Sequence, residues 1–523
     1  MSLKIFFTTI CVLFASCKPA PEKVIEYVDP FIGTGEHGHT FPGATLPHGL
    51  VQLSPDTRLR GWDACGGYHY DDQSLLGFSH THISGTGIGD YGDILFLPFT
   101  EELKKVVRNG DDQVVRFGSR FSHESEGASP GYYKVTLDDY GVMAELTATP
   151  RTGIHRYTFP ASSQSGLMID LTTSIHERKC LMATIKVISD TEISGMKHVE
   201  GWAPDRHVYF HAQFSKPFTA LLEVEGKNES SVNEVASQNI RAILQFGNTK
   251  QKEQIVAKVG ISFVDEAGAR MNLEKEAPRW DFDLYRRGAE ERWEEELSRI
   301  EVTSADETAK TIFYTGLYHT MISPTVSSDI EGEQASPDIT GMMGQYAHGN
   351  EPSHQTAHIY NLIGQPWKTQ ELVDEILCRL YLATPDGISG NEDCGQMSAW
   401  YVLNSMGFFS YCPGIPEYSI GRPLFNEVKI RLQNGKQFAI KATDNSRNNK
   451  YVQSATLNGK ILSSPFFSHQ ELLNGGVLEL QMDSIPNVRW GSRDWVSPHA
   501  PAGRPQLLHS RVPCVCCRCC PAP

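Results

Sequence analysis

Four stretches of the chain set polar side chains among glycines, and each could carry a chemical step. In Gly61-Trp62-Asp63-Ala64-Cys65-Gly66-Gly67-Tyr68-His69-Tyr70, followed by Phe78-Ser79-His80-Thr81-His82-Ile83-Ser84-Gly85-Thr86-Gly87, aromatic residues stand beside glycine with His, Asp and Ser alongside. Flat rings pack on the C–H faces of a pyranose while polar groups pair with its hydroxyls, so this composition suits sugar recognition. Trp62 is the candidate platform, with Asp63 and His80 as candidate substrate-binding groups. His80 and His82 also have the spacing of a metal pair on a strand, but no third ligand is marked. In Pro385-Asp386-Gly387-Ile388-Ser389-Gly390-Asn391-Glu392-Asp393-Cys394-Gly395-Gln396, three polar side chains lie between glycines at the mouth of an apolar helix. Asp393 could activate a water as general base, with Asn391 and Glu392 binding metal or substrate. An Asp-rich helix cap is the competing reading.

Gln345-Tyr346-Ala347-His348-Gly349-Asn350-Glu351-Pro352-Ser353-His354 puts an amide and a carboxylate oxygen, Asn350 and Glu351, at a helix entrance. Hard cations such as Ca²⁺ take such oxygens; a first-turn carboxylate favoured by the helix dipole is equally compatible. His348, in the same run, is a candidate substrate-binding residue. The last cluster is Gly33-Thr34-Gly35-Glu36-His37-Gly38-His39-Thr40-Phe41-Pro42-Gly43-Ala44, continuing to Pro47-His48-Gly49. It lacks G-x-x-x-x-G-K-[ST] and no long helical pattern follows, which argues against a nucleotide loop. It reads either as tight turns with hydrogen-bonded histidines or as a loop facing a ligand.

The elements that must position these groups change character along the chain. From about Val24 to Phe263, short alternating or β-branched runs such as Tyr132–Leu137 and His207–His211 are broken by Gly, Pro, Asp and Asn, the signature of an antiparallel β-sandwich. Asp281 to Ile300 carries Leu284, Trp293, Leu297 and Ile300 among Glu and Arg and reads as an amphipathic linker helix. Helical periods follow at Thr311–Met321, Pro352–Ile363, Trp367–Leu382 and Gln396–Met406, and Val428–Leu480 returns to strands with Asn458-Gly459 as a hairpin turn. The expected organisation is a multidomain β plus α chain: signal 1–17, sandwich 24–270, helical linker 275–305, helical catalytic domain 306–425, β-rich segment 426–492 and a foreign or disordered tail 493–523.

The 523 residues allow two or three domains with ample core. Lys plus Arg is 47 against 62 Asp plus Glu, a net charge of −15 with no long basic run, which argues against a nucleic-acid surface and for no nucleic-acid partner. Lys4, an apolar run from Ile5 to Phe14, then Ala15-Ser16-Cys17 form a secretion signal, and its ending resembles a bacterial lipobox in which Cys17 is lipidated. The alternative is a simply cleaved signal; either way the expected destination is the periplasm or cell surface, with membrane attachment only through an anchor at Cys17. The cysteines from Cys514 to Cys520 lack the spaced pairs of a zinc site and receive no function.

Taken in order, Tyr27–Thr34, Ser79–His82, Thr149-Pro150-Arg151, His155-Arg156-Tyr157, Phe313-Tyr314 with Leu317-Tyr318-His319, Gly349–His354 and Gly390–Tyr401, ending near Trp490-Gly491-Ser492, resemble glycoside hydrolase family 92, the calcium-dependent exo-α-mannosidases of glycan-degrading Bacteroides-type bacteria. The resemblance implies an N-terminal β-sandwich joined by helices to an (α/α)₆ barrel, with the site between them. It implies hydrolysis of a terminal α-mannoside with inversion, a carboxylic acid protonating the leaving oxygen while a carboxylate activates water. Asp393 matches the base; Asn391 stands where many relatives have a second Asp. Ca²⁺ is the implied cofactor, with Asn350 and Glu351 as its candidate ligands, and mannose-containing glycans, N-glycans or mannan with α-1,2 linkages, are the implied partners.

The chain departs from the family at one junction. Ser323–Gly332 runs almost directly into Ser336–Gly341, where relatives carry several barrel helices and the general acid. The barrel is therefore expected to be incomplete, internally truncated near 325–336, and nothing supports Glu331 or Glu333 as a replacement acid. Two functions are open: a secreted α-mannosidase, or one silenced by loss of its acid; and a non-catalytic mannose-binding surface lipoprotein.

Overall fold

The computed structural model describes residues 23–107, 115–202, 205–229, 232–330, 348 and 354–492. The signal with Cys17, Glu331, Glu333, Asn350, Glu351 and the tail 493–523 lie outside the described residues.

Alternation along the strands builds the expected sandwich. In Ile240–Thr249, Ile240, Ala242, Leu244 and Phe246 are buried while Arg241 and Gln245 point away from the core, the period of a pleated strand with one apolar face. That strand pairs with Ser162–Asp170, Leu244 opposite Leu167 and Ala242 opposite Ile169, within an eight-stranded sheet. A nine-stranded sheet, with Arg206–Phe214, Glu253–Ser262 and Thr152–Phe159 at its centre, closes over it. Phe96 of the first sheet lies 6.3 Å from Phe214 and 5.2 Å from His155 of the second, so the two inner faces interdigitate.

Helices α1 (Glu266–Glu276), α2 (Phe282–Leu297) and α3 (Glu307–His319) follow, each started by an aspartate. Asp265, Asp281 and Asp306 accept from the backbone N–H groups of Gly268, Leu284 and Ala309 at 2.6, 3.1 and 3.0 Å, caps worth roughly 1 kcal/mol each. In α2, Phe282, Tyr285, Ala289, Trp293 and Leu297 fall on one buried face at the spacing of helical turns. Trp293 is fully buried: its indole N–H donates to Thr45 O of the sandwich at 2.8 Å, and its ring lies 4.6 Å from Tyr318 of α3. One side chain thus joins the β and α parts of the molecule. The linker expected to be helical throughout ends otherwise: Ile300–Thr303 is a strand, with Ile300 opposite Ile430 and Val302 opposite Val428. Its alternating Ile and Val side chains favour the pleated edge of the C-terminal sheet over another helical turn.

The helical region holds α3, α4 (Ile359–Leu362), α5 (Pro366–Arg379) and α6 (Gln396–Met406) among the described residues, far short of a closed (α/α)₆ ring. The helical period expected from Pro352 to Ile363 shrinks to a 3₁₀ turn, Thr356–His358, and the single turn of α4. Ile359, Ile363 and Leu382 are 45%, 53% and 46% exposed, as an uncovered barrel face would be. The β-rich ending forms a six-stranded sheet, in which Gln437–Thr443 and Gly476–Asp483 run parallel, and a small three-stranded one. Cys65, Cys180, Cys378, Cys394 and Cys412 are all free thiols. Among the described residues no helix is long and apolar enough to cross a membrane.

Trp293→Ala is expected to destabilise by roughly 3–5 kcal/mol, the usual loss for a buried aromatic. Urea denaturation followed by circular dichroism measures it, and Trp293→Phe, which keeps part of the packing but not the hydrogen bond to Thr45, should lose less.

Candidate active site

The site begins where three loops are sewn together by their backbones. Glu392 N–H donates to Gly38 O at 3.0 Å, Asp393 N–H to Gly85 O at 2.6 Å and Cys394 N–H to Ser84 O at 3.0 Å, while Gly35 N–H reaches Pro385 O at 2.8 Å. The two glycine-rich sandwich loops and the loop before α6 therefore form one rigid wall. Pairing in this register forces Asp393 and Cys394 into left-handed backbone, φ 58° and 55°, strain of ~1–3 kcal/mol per residue that non-glycine residues carry only where surrounding contacts impose it. Gly85, at φ +79°, is required by the same approach: a Cβ there would stand 2.5 Å from Glu392 Cβ.

The candidate sugar platform stands on this wall. Trp62, in the short 3₁₀ turn Trp62–Ala64, is 53% exposed. A Cβ on Gly87 would meet Asn391 Nδ2 at 2.4 Å and Trp62 Cη2 at 2.9 Å, so the indole and the Asn391 amide close on the same glycine from two domains. His39 packs edge-on to Trp62 with ring centroids 5.3 Å apart. Asp63 Oδ1 accepts from His37 Nδ1 at 2.6 Å and lies 3.5 Å from His39 Nε2. Burial raises the Asp63 carboxyl, but the two imidazoles outweigh it and hold it below the usual range.

Beneath the loop, Glu392 is fully buried. One carboxyl oxygen accepts from Gly395 N–H at 2.6 Å, Ser398 lies beside the carboxyl, and burial outweighs both to push its pKa up to about 8. Glu392 therefore stays protonated at neutral pH and braces the turn into α6; the substrate-binding role expected of it gives way to a positioning one, because no sugar atom reaches a carboxyl with no exposed surface. Met397 N–H donates to Glu392 O, and Met397 O accepts from Tyr381 OH at 2.8 Å. Tyr381 in turn meets His348 Nε2 at 2.8 Å. His348 is buried against Trp400, 4.5 Å between ring centroids, and burial lowers its pKa to about 3. Its Nδ1 has no partner among the described residues, the one atom it could offer a ligand.

The structure thus brings Trp62, Asp63, Asn391, Glu392 and Asp393 to one wall and His348 against Trp400 of α6 and Tyr381. His80 is elsewhere. It is fully buried in the sandwich, bonded through Nδ1 to Ile94 O at 2.7 Å and facing His155 Nε2 at 3.0 Å, and burial lowers its pKa to about 4. Its expected contact with substrate is corrected to a core role, and the His80–His82 metal pair fails likewise, since His82 turns to Gln52 O and Asp56. The structural importance of Gly85, Gly87 and His39 was not singled out by the sequence; the signal for His39 is the His-Gly-His spacing.

Calcium takes six to eight oxygen ligands. Among the described residues, the groupings in which three or more His, Cys, Asp or Glu ligand atoms converge are His37–His39–Asp63 and His198–Asp205–His207, imidazole sets that do not suit it. The oxygen donors assigned to calcium, Asn350 and Glu351, lie outside the described residues.

Comparison with known proteins gives the site a context. Residues 27–262 match the glycosyl hydrolase family 92 N-terminal domain, and 268–337 and 331–484 match the glycosyl hydrolase family 92 catalytic domain in two pieces that meet at the anomalous junction. The fold is similar to a family GH92 alpha-mannosidase of Bacteroides thetaiotaomicron, with TM-score 0.85 and 27% identity over 90% of this chain and 96% of that one. A family GH92 inverting mannosidase of the same species shares the fold at TM-score 0.80, with 21% identity over 91% of this chain and 99% of that one. An uncharacterized secreted glycosidase of Arthroderma benhamiae is 28% identical over 349 residues, 59% of this chain; the chain spans 42% of that relative's length.

The raised Glu392 pKa makes stability depend on pH with a definite sign. Between the ordinary 4.5 and about 8 the folded state holds a proton that the unfolded chain releases, so stability falls as pH rises, by up to about 1.4 kcal/mol per unit. Glu392→Gln keeps the acceptor for Gly395 and should flatten that slope. Denaturant midpoints at intervals from pH 5 to 8 measure it.

Proposed function

The chain belongs to glycosyl hydrolase family 92, its catalytic domain present in part, and on that premise we propose that it is a secreted glycoside hydrolase that removes terminal α-linked mannose, α-1,2-linked on N-glycans or mannan, with inversion. The observation that carries this reading is the meeting of the exposed Trp62 ring and the Asn391 amide on Gly87, one residue of the wall that also fixes Asp393. A pyranose stacked on the indole presents its hydroxyls to Asn391 and Asp63. Asp393 accepts the proton of a water that attacks the anomeric carbon from the face opposite the leaving oxygen. The backbone pairing holds the Asp393 main chain in place before substrate arrives, which lowers the orientation cost of the step. In this reading Asn350 and Glu351 would hold calcium, which would supply Lewis-acid chemistry at the sugar. The secreted relative and the signal ending at Cys17 support export, with lipid anchoring at the periplasmic or outer surface as the finer proposal.

A second reading is favoured by the short helical region. If the acid left with the missing barrel segment, the wall remains a mannose-binding surface without turnover. Calorimetry with methyl α-mannoside separates the two from a chain that recognises no sugar, since absence of affinity defeats both.

Turnover is expected to fall about 10²–10⁴-fold in Asp393→Asn, the range of a lost general base, and to require Ca²⁺. Release of mannose that continues unchanged in that variant and after chelation contradicts the assignment. A site without its acid should also favour leaving groups that need no proton, cleaving a dinitrophenyl α-mannoside at least ~10²-fold faster than a mannobiose. Colorimetric release against chromatographic mannose detection reads both rates.

A further inference from the structure

His37, His39 and Asp63 converge beside the Trp62 turn. The three ligand atoms lie within 4.8 Å of one another, with His39 buried and His37 half-exposed. His39 Nδ1 is 2.9 Å from Thr86 O. A carbonyl oxygen only accepts, so Nδ1 carries a proton, and in the neutral ring Nε2 presents its lone pair. That nitrogen is buried and makes no hydrogen bond of ordinary length among the described residues; Asp63 Oδ1 stands 3.5 Å from it, beyond the ~2.7–3.2 Å of a formed N–H···O bond. A neutral ring there sets a nitrogen lone pair near a carboxylate oxygen, an arrangement that a proton or a metal cation between them relieves. A metal-bound histidine typically has its other ring nitrogen bound to a backbone carbonyl, as His39 does through Thr86.

We propose that His37, His39 and Asp63 bind a divalent first-row transition ion of the zinc class, stapling the His37–His39 loop to the Trp62 turn at the edge of the sugar site. The distances suit it. Bonds of ~2.0 Å to a tetrahedral ion set ligand atoms about 3.3 Å apart, and Asp63 Oδ1 stands 2.6 Å from His37 Nδ1 and 3.5 Å from His39 Nε2, either side of that value. The ion takes the place of the proton in the His37–Asp63 hydrogen bond, and that proton is released to solvent as metal binds. Two imidazoles and one carboxylate leave a fourth position for water, and imidazole selects zinc, copper or nickel over calcium. The site shares Asp63 with the proposed sugar contact but uses neither Asp393 nor the proposed calcium ligands, so zinc binding is read separately from mannose release.

The test is zinc titration of the chelator-stripped full chain by calorimetry, with bound metal counted after dialysis. One equivalent should disappear, or bind at least tenfold more weakly, in His37→Gln and Asp63→Asn, and persist in His198→Gln, which disables the other His–Asp–His group. Cysteine sites are told apart with Co²⁺: the proposed site gives weak visible bands without thiolate charge transfer and quenches part of the indole fluorescence, a part missing in Trp62→Phe. His37 is exposed enough that its replacement leaves the fold intact, so His37→Gln decides the matter even if Asp63→Asn fails to fold. Unchanged zinc stoichiometry and affinity in a folded His37→Gln, or loss confined to His198→Gln, overturns the proposal.

Discussion

The site depends on the backbone pairing of Glu392, Asp393 and Cys394 with Gly38, Gly85 and Ser84. Those N–H groups belong to the helical part of the chain and their acceptors to the sandwich, so neither domain builds the wall alone. The pairing explains otherwise unrelated features: the left-handed Asp393 and Cys394, the glycines at 85 and 87 that let side chains approach, and a protonated glutamate under the turn. Side-chain chemistry is laid over a main-chain scaffold that fixes direction first.

The scaffold is kept in place from behind. Trp293 bridges Thr45 and Tyr318, and the strand Ile300–Thr303 ties the linker to the C-terminal sheet. The sandwich, α3, α6 and the terminal sheets can therefore hold the wall even though the helical ring is open near Ile359, Ile363 and Leu382.

Much of this was legible in the sequence because it is periodic. The alternation of Tyr132–Leu137, the apolar stripe of α2 and the α6 bounds Gln396–Met406 follow from side-chain spacing. Ile300–Thr303 was misread because four residues after a helix carry too little period to reveal a partner more than a hundred residues away. Among site residues, Trp62, Asn391 and Asp393 could be chosen by type, but burial could not: His80 and Glu392 look as polar in sequence as the groups at the surface, and only the tertiary fold encloses them.

The free cysteines flanking the wall have a chemical consequence. Cys65 follows the Trp62 turn and Cys394 follows Asp393, and burial pushes both thiols up to about 12. At pH 8 a group of that acidity is ionised in only about one molecule in ten thousand, and the anion is the form that oxidants and alkylating agents attack. Both sulfurs are therefore inert neighbours. A protein built this way can pass between reducing and oxidising surroundings without these two sulfurs being cross-linked or capped.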